Sequence, residues 1–153
     1  MRNLIFIIAA VTLTGLAQCQ IALGADGLYY NSNASSFYSG NYYEYYEGGN
    51  VKCIHQIRDG KYEGDTRFYY SDGTLKEVRS FKKGLKDGTW TTYNESGQKT
   101  GEANFSNDEK DGKWSIFDDN GKIRAEINYV NGEKSGESKL FNSEGEVVQT
   151  MNF

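Results

Sequence analysis

Apolar and polar positions recur with a period of 24 over residues 40–153. Glycines stand at Gly40, Gly64, Gly88, Gly112 and Gly136, and a second series follows at Gly49, Gly73, Gly97, Gly121 and Gly145. A third runs through Gly60, Gly84 and Gly132, with Asp108 in its one gap. Aromatic residues keep the same phase at Tyr45, Tyr69, Tyr93, Phe117 and Phe141, and an apolar series follows at Ile57, Phe81, Phe105, Tyr129 and Phe153. Self-similarity at fixed spacing marks a repeat architecture, in which each unit buries its apolar face against its neighbours.

Each unit reads as β-hairpins. Tyr93-Asn94-Glu95-Ser96-Gly97-Gln98 and Phe117-Asp118-Asp119-Asn120-Gly121-Lys122 place a polar tetrad ending in glycine, the form of a type I turn closed by a left-handed glycine and a G1 bulge. That turn sets the preceding aromatic opposite the second residue after the glycine, predicting the pairs Tyr45–Val51, Tyr69–Leu75, Tyr93–Lys99, Phe117–Ile123 and Phe141–Val147. Four are apolar on both sides, as cross-strand stabilisation requires. Beyond the turn, Ile123, Ala125, Ile127 and Tyr129 alternate with Lys122, Arg124, Glu126 and Asn128. Period two is a strand, with the first set expected on one face. The Asn131-Gly132 pair then signals a second hairpin. For Trp114 to reach the apolar face, an extra residue is expected in the strand before Phe117.

The predicted fold is all-β: an elongated single-sheet antiparallel meander of 24-residue β-hairpin repeats, about ten strands spaced roughly 4.8 Å apart. Its units are residues 40–63, 64–87, 88–111 and 112–135, with a partial unit 136–153. No proline interrupts the chain, consistent with strands that donate throughout.

The runs Lys86-Asp87-Gly88-Thr89-Trp90-Thr91-Thr92-Tyr93 and Lys110-Asp111-Gly112-Lys113-Trp114-Ser115-Ile116-Phe117, each followed by the two turns, resemble the bacterial MORN-repeat variant family, also called YwqK-like, over residues 40–153. The resemblance implies a β-hairpin repeat without known catalytic residues. The family is often labelled antitoxin-like, and related MORN repeats serve as scaffolds or contact lipids. Tyr42 and Ser138 stand where tryptophan is usual, and Asp108 where a turn glycine is usual.

The first residues follow a different pattern. Met1-Arg2-Asn3 is a short positive start, and Leu4 to Ala17 is uncharged and mostly apolar, the layout of a secretory signal peptide. That run is shorter than the ~20 residues of a spanning helix. Residues 1–17 are therefore expected to be removed after Ala17, with cleavage as late as about residue 25 an alternative, and residues 18–39 to form an N-terminal cap or linker. Leu16-Ala17-Gln18-Cys19 also resembles a lipobox, in which Cys19 would be lipidated, although Gln18 stands where that motif has a small residue. The protein is expected to be exported, periplasmic or secreted, with a lipid anchor at Cys19 as the alternative. In an oxidising compartment Cys19 and Cys53 are a candidate disulfide; Cys53 as a small buried side chain is the competing reading.

Composition limits the chemistry. The formal charge is −4, and loss of Arg2 with the leader makes it −5. Without clustered Lys and Arg, nucleic acid is not an expected partner. One histidine, His55, lies two positions from Cys53; a nucleophile–base pair needs them in reach and accessible, and a side chain lining the sheet is the plainer reading. No metal, cofactor or catalytic residue is expected. Ten of the twelve tyrosines precede residue 71, and tyrosine gives large contact area at low entropic cost. Tyr42, Tyr43, Tyr46, Tyr70, Trp90 and Trp114 are the candidate partner-binding residues, against the reading that the N-terminal segment folds over the tyrosines. The function expected is a non-catalytic scaffold that binds another protein. The alternatives are an antitoxin-like or immunity protein with one toxin partner, and glycan or cell-wall binding through an aromatic face.

Overall fold

The computed structural model describes residues 5–6, 21–31 and 36–153, and no helix occurs among them. Three short strands, β1 (Ile5–Phe6), β2 (Ile21–Leu23) and β3 (Tyr29–Asn31), form a small antiparallel sheet. The rest is one 13-stranded antiparallel sheet. Its entering strands are β4 (Gly40–Tyr45), β7 (Gly64–Tyr69), β9 (Leu85–Tyr93), β12 (Gly112–Phe117) and β15 (Glu137–Phe141). Its returning strands are β5 (Val51–Arg58), β8 (Leu75–Lys82), β10 (Lys99–Ser106), β13 (Ile123–Val130) and β16 (Val147–Asn152). These ten pair in sequence order from β4 to β16, and the two-residue strands β6 (Lys61–Tyr62), β11 (Glu109–Lys110) and β14 (Glu133–Lys134) continue the second hairpins.

All five predicted turn-flanking pairs form, from Tyr45 opposite Val51 to Phe141 opposite Val147. The expected extra residue is present in every unit but on the other strand: after Phe117 meets Ile123, Ile116 meets Ala125, leaving Arg124 unmatched. The equivalent residues are Lys52, Lys76, Thr100 and Val148. Bulging the returning strand lets these mostly long side chains leave the ladder without disturbing the tight turn. It also corrects the predicted alternation. Ile123 shares the face of Phe117, whereas Ala125, Ile127 and Tyr129 share the opposite face with Trp114, which lies directly across from Ile127.

That second face carries a continuous ladder of rings. Tyr29, Tyr62, Phe81, Trp90, Phe105, Trp114 and Tyr129 touch in succession, with centroids 4.8–5.6 Å apart. Tilted contacts at this distance add about 0.5–1.5 kcal/mol each beyond burial. The indole N–H groups of Trp90 and Trp114 donate to the carbonyls of Ser80 and Asn104, at 3.1 and 3.0 Å. Lysines cover the solvent side: Lys86 lies over Trp90 and Phe105, and Lys110 over Trp114 and Tyr129. Their stems shield the rings while the ammonium stays in water.

Two turn types alternate. In the second, both central residues have positive φ, as at Asn131 (49°) and Gly132 (85°), the type I′ geometry that matches strand twist. Asp108 adopts φ 72° in the place of glycine. Its carboxylate accepts the Lys86 N–H at 2.8 Å while its own N–H donates to the Lys86 carbonyl at 2.9 Å, which offsets the cost of that conformation. These bonds, with Gly84 to Tyr62 and Gly132 to Lys110, tie each second turn to the preceding unit.

Gly112 has φ +89°, and a Cβ there would sit 3.4 Å from that of Asn104. Gly112→Ala is expected to cost about 1–2 kcal/mol from the left-handed backbone. Trp114→Ala, removing a half-buried ring that joins two neighbours, is expected to cost about 2–3 kcal/mol, below the full core value. Urea unfolding of both variants measures this; a Trp114→Ala midpoint equal to wild type would contradict the ladder's role.

Candidate interaction surface

The N-terminal segment decides what the tyrosine-rich end exposes. Tyr29 N–H donates to the Gly60 carbonyl, Gly60 N–H to that of Tyr38, and Tyr38 N–H to that of Tyr29, at 2.8–2.9 Å, which fastens residues 29–38 to the first repeat. Tyr29, Tyr42 and Ile57 then form a buried cluster with Ile21, Leu23, Tyr38 and Tyr62 packed around it. The Tyr29 and Tyr62 hydroxyls bond at 2.7 Å. Burial raises the phenol pKa of Tyr29, Tyr42 and Tyr62.

Most of the candidate contact residues are therefore engaged within the chain. Tyr42 is only 4% exposed, corrected from a surface residue to a core one because Tyr29 covers it. Tyr46 donates its hydroxyl to the Tyr69 carbonyl and Tyr70 to that of Tyr93, each reaching one turn ahead. At the equivalent positions Asn94, Asp118 and Asn142 instead accept from backbone N–H groups of their own turns. Trp90 and Trp114 belong to the ring ladder. Tyr43 alone of the six presents its ring freely, stacked on Tyr45 at 6.4 Å, each 38% exposed.

Tyr45 begins the surface that the sequence reading missed. By register it shares the face opposite the ring ladder with Val51, and the same places hold Tyr69 and Leu75, Tyr93 and Lys99, Phe117 and Ile123, Phe141 and Val147. This half-exposed apolar row crosses all five units beside the first turns. At its one charged position, Lys99 lies over the Phe117 ring at 5.3 Å and pairs with Glu102 at 2.8 Å. The signal was present in the paired residues, but only the side of the bulge tells which face they occupy.

His55 stacks on Tyr42 and touches the rings of Tyr62 and Phe68. One nitrogen meets Glu44 at 3.2 Å and the other lies 3.9 Å from the Cys53 sulfur. The order Cys, His, Glu has the outline of an activated thiol, but the environment opposes it. Cys53 is fully buried, and burial, reinforced by Glu44, pushes its thiol up to about 12; a nucleophile needs the thiolate and an open approach. Cys53 packs as a small apolar side chain with no disulfide partner among the described residues; Cys19, the other half of the candidate disulfide, lies outside them, as does most of the leader. Among the described residues no three His, Cys, Asp or Glu side chains are grouped so that they could hold a metal ion.

Burial lowers the His55 pKa from its ordinary 6.5, more than Glu44 raises it. The folded state thus holds His55 neutral while the unfolded chain takes up a proton near pH 6.5, so stability falls as pH drops through and below that value. His55 is the only histidine. The urea midpoint is expected to decline from pH 7.5 to about pH 5.5 in the native protein, before carboxylates titrate, and to stay flat in His55→Gln; equal slopes would refute this assignment.

The MORN repeat variant family model matches residues 62–83, 86–107 and 110–131. Each match begins two residues before a repeat glycine, at Gly64, Gly88 and Gly112. No curated protein matches the chain at a significant level.

Proposed function

We propose that this chain, three consecutive stretches of which match the MORN repeat variant model, is an exported, non-catalytic scaffold that binds another protein at the cell envelope or outside the cell. MORN repeats are generally protein- or membrane-binding motifs in a non-enzymatic family. The observation that carries the protein-binding reading is the exposed Tyr43–Tyr45 pair at the head of the apolar row. Neither hydroxyl has a partner among the described residues, and neither ring is needed by the ladder. A rigid aromatic anchor continued by a half-exposed apolar strip, with polar residues around it, is the composition of a recognition surface.

The export reading rests on the Met1-Arg2-Asn3 start and the apolar run to Ala17. Among the described residues no helix is long and apolar enough to cross a membrane. Removal of the leader would take away β1 and leave the bonds of Tyr29 and Tyr38 to the repeats intact. An immunity role is the same surface with one toxin as its partner. Glycan binding through the Trp face has less support, because those rings tilt 33–58° against one another beneath lysines and offer no flat open platform.

Tyr43→Ser combined with Tyr45→Ser tests the reading. Each change is expected to cost less than about 1 kcal/mol of stability, the size of a cross-strand pair, while abolishing co-purification of the protein cross-linked to the natively exported chain. Full retention of that partner by the double variant would overturn the assignment.

A further inference from the structure

One position in each returning strand joins its unit to the next. Gln56 accepts the Asp65 N–H at 3.2 Å, Ser80 donates to the Thr89 carbonyl at 3.0 Å, and the amides of Asn104 and Asn128 donate to the carbonyls of Lys113 and Glu137 at 2.6 Å. The fifth equivalent is Asn152, on the outer edge of the sheet. It keeps the amide of the two preceding units, lies exposed, and has no side-chain partner among the described residues.

The strand that bears it is unlike the others. β5, β8, β10 and β13 all contain charged residues, whereas Val147-Val148-Gln149-Thr150-Met151-Asn152 has none. Charges and lysines normally protect a free edge from pairing; here the edge strand is the one that lacks them. Val148 is 61% exposed where the other bulges carry Lys52, Lys76, Thr100 and Arg124, and Phe153, just past the far end of the strand, is 54% exposed. At the opposite edge, β4, the corresponding place is filled from within the chain. Tyr38 donates its hydroxyl to the Asn41 carbonyl at 2.7 Å and lies against Gly40, the place that the linking side chain of a preceding unit takes elsewhere.

We propose that β16 pairs antiparallel with β16 of a second copy of this chain, joining the two sheets edge to edge about a dyad. A dyad perpendicular to the sheet and passing near Thr150 sets Asn152 opposite Val148 of the other copy. It presents each linking amide to a backbone carbonyl, as inside the repeat. It also keeps the ring-ladder faces of both copies on one side, because opposed residues share a face. Such isologous pairing requires a strand compatible with itself, which an uncharged strand is, since like charges directly opposite destabilise a pair. Head-to-tail pairing of β16 with β4 would meet the Asn41 carbonyl already occupied by Tyr38, and would propagate without closing.

The test is sedimentation equilibrium of the native mature protein from micromolar to millimolar concentration. A monomer–dimer equilibrium is expected, weakened about tenfold or more by Val148→Lys. Lysine already occupies this bulge at Lys52 and Lys76, so the fold accepts it, and an unchanged melting profile at high dilution verifies that. Asn152→Ala is expected to weaken the dimer as well, and Tyr38→Phe to leave it unaltered. A monomer at every concentration, or a dimer insensitive to Val148→Lys, overturns the proposal. Assemblies that grow beyond two copies, and more so in Tyr38→Phe, overturn it in favour of head-to-tail stacking.

Discussion

A single-layer sheet has no second layer to bury its apolar side chains, so they gain shelter only from one another across the strands. The ring ladder is how this chain meets that constraint. Trp90, Phe105, Trp114 and Tyr129 each touch the next, and the other regularities serve their alignment. The bulge brings Trp114 to the face of Ile127 and Tyr129. Left-handed glycines such as Gly112 let the entering strand shift register without a Cβ in the way. Lys86 and Lys110 lie over the rings where a globular protein would place a second layer, so half-buried residues do the work of a core.

Where the ladder runs out, substitutes appear. At the first repeat Tyr42 takes the tryptophan place and Tyr29, from the N-terminal segment, covers it. In the second repeat the place is held by Thr66, and Arg79 spans the gap, its guanidinium over both Phe68 and Trp90. In the fifth it is held by Ser138. The Thr66 and Ser138 hydroxyls are buried without partners among the described residues, a cost of about 1–3 kcal/mol each if no water reaches them. The second and fifth units are therefore the weaker ones, and in a quasi-one-dimensional array local weakness stays local. Tyr46 and Tyr70, bonded to the following turns, add cross-links at this end.

The period, the two hairpin turns and the five flanking pairs were legible because each depends on residues a few positions apart. Gly97 closes its own turn, and Asn131-Gly132 needs no distant partner. The faces were not legible to the same degree. One bulged residue inverts the side on which everything beyond it points, and a strand pattern reads equally well with the extra residue before Phe117 or after Ile123. That ambiguity placed Ile123 on the wrong face and left the Tyr45 row unrecognised as a surface. The fate of the tyrosines was hidden for another reason: whether Tyr42 is covered depends on Tyr29 reaching Gly60, a contact between a non-repeating segment and a repeat that no periodicity encodes.

These two kinds of residue separate structure from recognition. Residues that obey the period are held by it, since each ring or glycine is needed by the unit on either side. A partner must recognise something that does not recur, or it would bind every unit alike and have no fixed register. The departures from the period are therefore where recognition is informative. Tyr43 stands where the other units have Arg67, Thr91, Ser115 and Lys139, and Lys99 interrupts a row that is otherwise Val51, Leu75, Ile123 and Val147. Together they give the apolar row a marked end and a marked interior, and so let one extended partner dock in a single direction and register.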